Sequence, residues 1–119
     1  MKKPEADRLL ALILHALDEH KAEDISTVDL AGKSPMADYM VVATGRSQRQ
    51  VQALADYVAR AIKETVGAPK IEGLTQGDWV LLDAGDVLVH LFRPEVREFY
   101  NIEAMWSTGA TARSGPVSA

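Results

Sequence analysis

The sequence predicts an α/β fold in which helices flank a mixed β-sheet. Segments with helical periodicity alternate with segments typical of strands, and two of the strands are close enough along the chain to form a hairpin. Hairpin strands are antiparallel, whereas a strand followed by a long helix pairs in parallel with a neighbour, so the sheet contains both kinds of pairing. With 119 residues, 47% of them hydrophobic, the chain is long enough to form one domain with its own core.

The first element is an amphipathic helix that begins near Pro4, which suits a first helical turn. Apolar residues recur at the three- and four-residue steps of one helical face: Ala6, Leu9, Leu10, Ile13, Leu14 and Leu17. Residues 25–30 predict a short strand, closed by Gly32 and Pro35. Tyr39–Thr44 is apolar without alternation. That pattern is typical of a strand covered on both faces and predicts that this strand lies at the centre of the sheet.

A second helix has the clearest local signal in the sequence. Ser47 and Gln50 have the spacing of a capping box, which predicts the start of the helix. One helical face is then marked by Val51, Leu54, Ala55, Val58 and Ile62. Gly67 and Pro69 end the helix, because glycine suits the left-handed position after a helix and proline cannot continue it. Residues 71–73 predict a further short strand.

Residues 79–92 predict a β-hairpin that carries aspartates and a histidine. Alternation places Trp79, Leu81 and Asp83 on one face of its first strand. In its second strand, the alternation separates two sets: Leu88, His90 and Phe92 on one face, and Val87, Val89 and Leu91 on the other. Both faces of the hairpin are therefore mostly apolar.

Pro94 opens a last predicted helix, whose residues on one stripe are Val96, Phe99, Tyr100 and Glu103. Residues 107–119 contain small and polar residues and no apolar period, which predicts a flexible tail. The domain is therefore expected to span residues 1–106.

The composition excludes several classes of protein. The chain has no cysteine, so a disulfide framework and a thiolate zinc site are both excluded, and a cytoplasmic location is expected. We expect neither a signal peptide nor a membrane span, because charges interrupt every apolar stretch. The formal net charge of −4 opposes a broad nonspecific grip on nucleic acid and suits a basic protein partner.

One enzymatic hypothesis combines the turn at residues 44–47 with Asp83 and Asp86. A small-residue turn at a helix N-terminus offers N–H groups to a phosphate, and the two carboxylates could hold magnesium, as in a metal-dependent nucleotidyltransferase. The alternative is that the turn is only a helix cap and that both aspartates form their own turn. The turn has one glycine and no following lysine, so it is not a P-loop.

The histidines predict neither a catalytic triad nor a metal site. His90 could pair with Asp83 across the hairpin, but no cysteine and no evident serine nucleophile accompanies them. His15 and His20 are expected to lack a ligand partner at the four-residue spacing that a helical metal site uses. No metal or other cofactor is therefore expected.

The large aromatic residues admit two interpretations. Trp79, Tyr100 and Trp106 are residue types that dominate protein interfaces, but they are equally typical of a core. Periodicity leaves both open for Trp79 and favours the core for Tyr100 and Trp106.

Several blocks of the sequence, in order over about residues 24 to 106, resemble the ribosomal silencing factor family, also called Iojap-like. The blocks are residues 38–45 with Ser47, residues 51–56, Glu72-Gly73, residues 79–83, residues 85–87 with His90, and residues 97–100 with Glu103 and Trp106. Gln50 is a departure, because members often have histidine there.

The resemblance implies a fold similar to nucleotidyltransferases without their catalytic carboxylate set, and therefore a protein that is not an enzyme. It also implies binding to the large ribosomal subunit through ribosomal protein L14, which blocks joining of the small subunit and represses translation when nutrients are short. We expect the hairpin face to make this contact, through Trp79, Leu81, His90, Arg93 and Tyr100. A second copy of the chain is an alternative occupant of the same face.

Overall fold

A computed structural model describes residues 4–102 and 104, and three helices flank one five-stranded sheet in it. The elements are α1 (Pro4–Glu19), β1 (Glu23–Asp29), β2 (Tyr39–Thr44), α2 (Gln48–Val66), β3 (Lys70–Glu72), β4 (Trp79–Asp83), β5 (Val87–Phe92) and α3 (Pro94–Tyr100). The α/β class and the mixed sheet are confirmed. The predicted tail, together with Glu103 and Trp106, lies outside the described residues.

The strands are ordered β1-β2-β5-β4-β3. Strands β2 and β5 are parallel, and the three other neighbouring pairs are antiparallel. All six residues of β2 are buried, as its unbroken apolar pattern predicts. The prediction that β2 is the central strand is wrong. The third of the five strands is β5, and β2 lies between β1 and β5.

One face of the sheet is covered by α1 and α2. The buried residues of α2 are the ones that helical periodicity marks. In α1, the marked residues Leu10 and Leu14 are only partly buried, and Ala16, which the periodicity did not mark, is buried. Both helices pack on Val41, Val89 and their neighbours. In the described part of the chain, no helix combines the length and the apolar character that a membrane span requires.

The start of α2 follows the predicted cap with one difference. Ser47 Oγ accepts a hydrogen bond from the Gln50 backbone N–H over 3.1 Å. The Gln50 side chain does not return to Ser47, because its Oε1 accepts the N–H of Arg46 over 2.8 Å. Its Nε2 also donates to the carbonyl of Lys21 over 3.3 Å, so Gln50 joins the turn after α1 to the start of α2.

Among the described residues, the other face of the sheet is covered only in part. Its buried cluster consists of Val28, Leu30, Ala37, Met40, Val42 and Phe92. Four partly buried residues surround this cluster: Trp79, Leu88, Val96 and Ile102. Helix α3 packs on this face through Val96.

Candidate functional site

The candidate site is an aromatic cluster on the partly covered face of the sheet. We use that name for the rings of Trp79, His90, Phe92, Phe99 and Tyr100. Trp79 is at the centre, and its ring centroid lies 4.9 Å from that of Phe92, 4.8 Å from that of Tyr100 and 5.9 Å from that of His90. The register of β4 and β5 explains this arrangement, since Trp79 lies opposite Phe92 and Leu81 lies opposite His90.

Trp79 and His90 are joined by a hydrogen bond. The Trp79 Nε1–H donates to His90 Nδ1 over 3.0 Å. Because Nδ1 accepts, the proton of the neutral imidazole is on Nε2. His90 is only 9% exposed, whereas Trp79 is half-buried. The pairing of His90 with Asp83, which the sequence left possible, is not formed. His90 Nδ1 accepts the indole N–H, and Asp83 lies opposite Leu88, two residues along the strand from Leu81.

The same burial determines the charge of His90. Removal from water disfavours the imidazolium and lowers the pKa of His90 from 6.5 to about 4. The imidazole is therefore neutral at neutral pH, as its acceptor role toward Trp79 requires.

Stability is expected to fall as the pH drops from 6.5 toward 4. In that window the unfolded chain protonates this histidine and the folded chain does not, so each proton added favours unfolding. The contribution of His90 is fully present above pH 6.5, and its complete loss below pH 4 corresponds to roughly 3 kcal/mol. Urea denaturation at neutral and mildly acidic pH measures this change in the free energy of unfolding.

The matched variants for this measurement are His90→Gln and His15→Gln. Glutamine at position 90 can still accept the indole N–H but does not titrate, so the pH dependence should shrink. His15 lies at the surface, with its side chain 74% exposed, so His15→Gln should keep the dependence of the parent. Equal pH dependence in the parent and in His90→Gln would contradict the assignment.

Arg93 lies beside the aromatic cluster, and its guanidinium makes contacts within the protein. Its Nε donates to Asp78 Oδ1 over 2.8 Å, and its Nη1 donates to Glu95 Oε2 over 3.0 Å. Hydrogen bonds from Gln48 and from Arg93 lower the pKa of Asp78. Arg93 therefore joins the turn before β4 to the start of α3. Its positive charge is already paired with the carboxylates of Asp78 and Glu95.

Helix α3 is fixed on the sheet mainly by Arg97. No residue of α3, all of which the structure describes, is buried. Arg97 Nη1 donates to the Asp24 carbonyl over 2.6 Å and to Thr44 Oγ1 over 2.7 Å, and its Nη2 donates to Ser26 Oγ over 3.4 Å. These bonds join the helix to β2 and to the irregular start of β1, where Asp24 has a φ of 48°.

The predicted apolar stripe of α3 is partly wrong. Val96 packs on the sheet, but Tyr100 is 51% exposed and Phe99 is 80% exposed, so neither belongs to the core. Helical spacing alone does not reveal this exposure, since adjacent residues such as Leu54 and Ala55 of α2 are both buried. Sequence reasoning also missed the role of Arg97.

The residues of the enzymatic hypothesis are used in local structure. Asp83 Oδ1 accepts the N–H of Gly85 over 2.9 Å, as the turn interpretation expects. At residues 44–47, the Gly45 N–H donates to the Phe92 carbonyl over 2.9 Å, and the N–H of Arg46 is taken by Gln50. The hypothesis therefore has no observation in its favour among residues 4–102.

The helical histidines need one correction. Glu19 lies four residues after His15, and the two side chains approach to 3.5 Å, so the expectation that His15 lacks a partner at that spacing is wrong. Within the described ranges, no group of three or more histidine, aspartate or glutamate residues could hold a metal ion.

The chain is similar to proteins that are named as ribosomal silencing factors. The family described as "ribosomal silencing factor during starvation" matches residues 3–118. A ribosomal silencing factor of Zymomonas mobilis is 57% identical over 106 residues, which cover 88% of this chain and 80% of the relative. A mouse protein named for mitochondrial assembly of the large ribosomal subunit is 30% identical over 81% of this chain and 44% of its own length.

A solved structure agrees with the fold described above. A protein of Chromobacterium violaceum superposes with a TM-score of 0.83 at 40% identity, and the match covers 100% of this chain and 96% of the other.

Proposed function

Because this chain belongs to the ribosomal silencing factor family, we propose that it binds the large ribosomal subunit through ribosomal protein L14 and blocks joining of the small subunit. The site for this contact is the aromatic cluster with Leu81 beside it. The protein then acts in the cytoplasm as a repressor of translation under nutrient limitation. It needs no cofactor and performs no catalysis in this role.

The observation that carries the proposal is the half-buried Trp79 on an apolar sheet face that α3 covers only in part. Tryptophan and tyrosine are the residues that most often anchor protein interfaces, and Trp79 and Tyr100 lie side by side here. The net charge of −4 suits a basic ribosomal protein.

Each predicted contact residue has a place in this proposal. Trp79, Leu81 and Tyr100 contact the partner. His90 orients Trp79 through the indole hydrogen bond, and Arg93 fixes the junction between β5 and α3. The mechanism is steric exclusion, so its strength depends on the affinity and concentration of the factor relative to those of the small subunit.

Joining of purified ribosomal subunits, followed by sucrose-gradient sedimentation, tests the proposal. The parent protein should lower the fraction of joined ribosomes as its concentration rises. A folded Trp79→Ala protein should need about 30-fold more protein for the same effect, because loss of an interface anchor costs at least about 2 kcal/mol.

The control is Tyr57→Ala, which removes another aromatic ring from the opposite side of the molecule. Tyr57 is 38% exposed on α2, so its loss should leave the block unchanged. Unimpaired joining in the presence of saturating parent protein would refute the proposed function. A fully active Trp79→Ala protein would remove Trp79 from the interface.

A further inference from the structure

Phe99 is the most exposed large apolar side chain in the described part of the molecule. It is 80% exposed and lies on α3 next to Tyr100, which is 51% exposed. The two rings meet edge to face, with centroids 5.0 Å apart and planes at 88°. Transfer of a ring of this size from water to an apolar surface is favourable.

The backbone that carries Phe99 is held in place. The bonds of Arg97 to β1 and β2, and those of Arg93 to Asp78 and Glu95, join α3 to the sheet at two points. The Tyr100 ring packs in turn on Trp79. A preorganised aromatic side chain loses little conformational entropy on binding, which favours its use as an anchor.

The charge around Phe99 selects the kind of partner. Glu98 is exposed on α3, and Glu95, also exposed, is bonded to Arg93. Both arginines in this region direct their guanidinium groups to acceptors within the protein. The outward surface of α3 is therefore aromatic and carries the negative charge of Glu98. A basic surface with an apolar cleft complements it, whereas a nucleic acid backbone is repelled and a second copy would place like charges together.

We propose that α3 is a docking helix with Phe99 as its anchor, and that its partner is a basic protein surface with an apolar cleft. The inference rests on the proposed function, since a ribosomal protein of the large subunit would supply that surface. It adds Phe99 to Trp79 and Tyr100 as an anchor of that contact.

The test compares binding of the parent, Phe99→Ala and Met36→Ala to purified large ribosomal subunits. Phe99→Ala should raise the Kd about 30-fold or more, as expected for an interface anchor. Met36 is 73% exposed in the loop between β1 and β2, so Met36→Ala removes a similarly exposed apolar side chain and should leave the Kd unchanged. Both variants should keep the thermal stability of the parent.

Charge reversal gives a second readout. Glu98→Lys should slow association at low salt, and the difference from the parent should shrink as salt is added. Glu64→Lys makes the same change on the exposed surface of α2 and is the matched control.

The outcomes separate this inference from the proposed function. If the parent fails to bind subunits, the proposed function is wrong and the inference falls with it. If the parent binds and Phe99→Ala binds as tightly, only the docking role of α3 is overturned. Sedimentation velocity tests the second copy: a parent dimer that Phe99→Ala converts to a monomer with unchanged subunit binding would also overturn the inference.

Discussion

Replacing Phe92 by alanine is expected to destabilise the protein by about 3–5 kcal/mol, a large part of the stability of an ordinary domain. Phe92 is fully buried at the end of β5. Its ring lies 4.9 Å from that of Trp79 and 6.0 Å from that of His90, so it forms the floor of the aromatic cluster. A smaller side chain would leave a cavity under Trp79. Urea denaturation of the purified variant measures the loss.

The other phenylalanine of the chain gives the matched control. Phe99→Ala makes the same substitution at a side chain that is 80% exposed, so its free energy of unfolding should stay within about 0.5 kcal/mol of the parent. The two variants should therefore have opposite phenotypes, with Phe92→Ala losing the fold and Phe99→Ala losing the partner. Equal stabilities for both would contradict the assigned burial of Phe92.

Gly73→Ala is expected to destabilise the protein by roughly 3 kcal/mol or more, through backbone strain together with a clash. Gly73 has a φ of +85°, which alanine adopts only with strain. A Cβ at this position would lie 2.2 Å from the carbonyl oxygen of Trp79. The first residue of β4 would have to move, and the central ring of the aromatic cluster would move with it. Thermal unfolding and subunit binding should both be impaired.

Gly85→Ala separates the two causes. Gly85 has a nearly equal φ of +87° in the hairpin turn, but nothing lies within 4 Å of its added Cβ. It should lose only the strain of a left-handed alanine, about 1–2 kcal/mol, and keep its binding to the large subunit. If both glycine variants lost the same stability, the contact between Gly73 and Trp79 would have no energetic importance.

The helices that pack on the sheet could be predicted in detail because their signals are local. The buried face of α2 is set by apolar residues at helical spacing, and its ends are set by Ser47 and Gly67. Most of the buried face of α1 was predictable for the same reason. Period and capping depend only on residues one or two turns apart, so they can be read from one sequence.

The order of the strands could not be predicted in the same way. An unbroken apolar run such as that of β2 shows that both faces of the strand are covered, but it does not show which strands lie on each side. The pairing of Tyr39–Thr44 with Val87–Phe92 joins distant parts of the chain. Nothing local specifies that partnership.

The placement of some residues of the candidate site was predictable, but their contacts were not. Alternation places Trp79 and His90 on one face of the hairpin, but it does not reveal that His90 is buried and accepts the indole N–H. The bonds of Arg97 reach residues 53 to 73 positions away. Such contacts exist only after the sheet has formed, so sequence spacing cannot indicate them.

The central position of β5 has a consequence for how the molecule is made. On a growing chain, α1, β1, β2 and α2 are synthesised before the strand that joins the two halves of the sheet. Until β5 arrives, one edge of the apolar strand β2 lacks its backbone partner. Closing so long a loop slows folding, so the nascent protein should depend on chaperones more than a helical protein of equal length does.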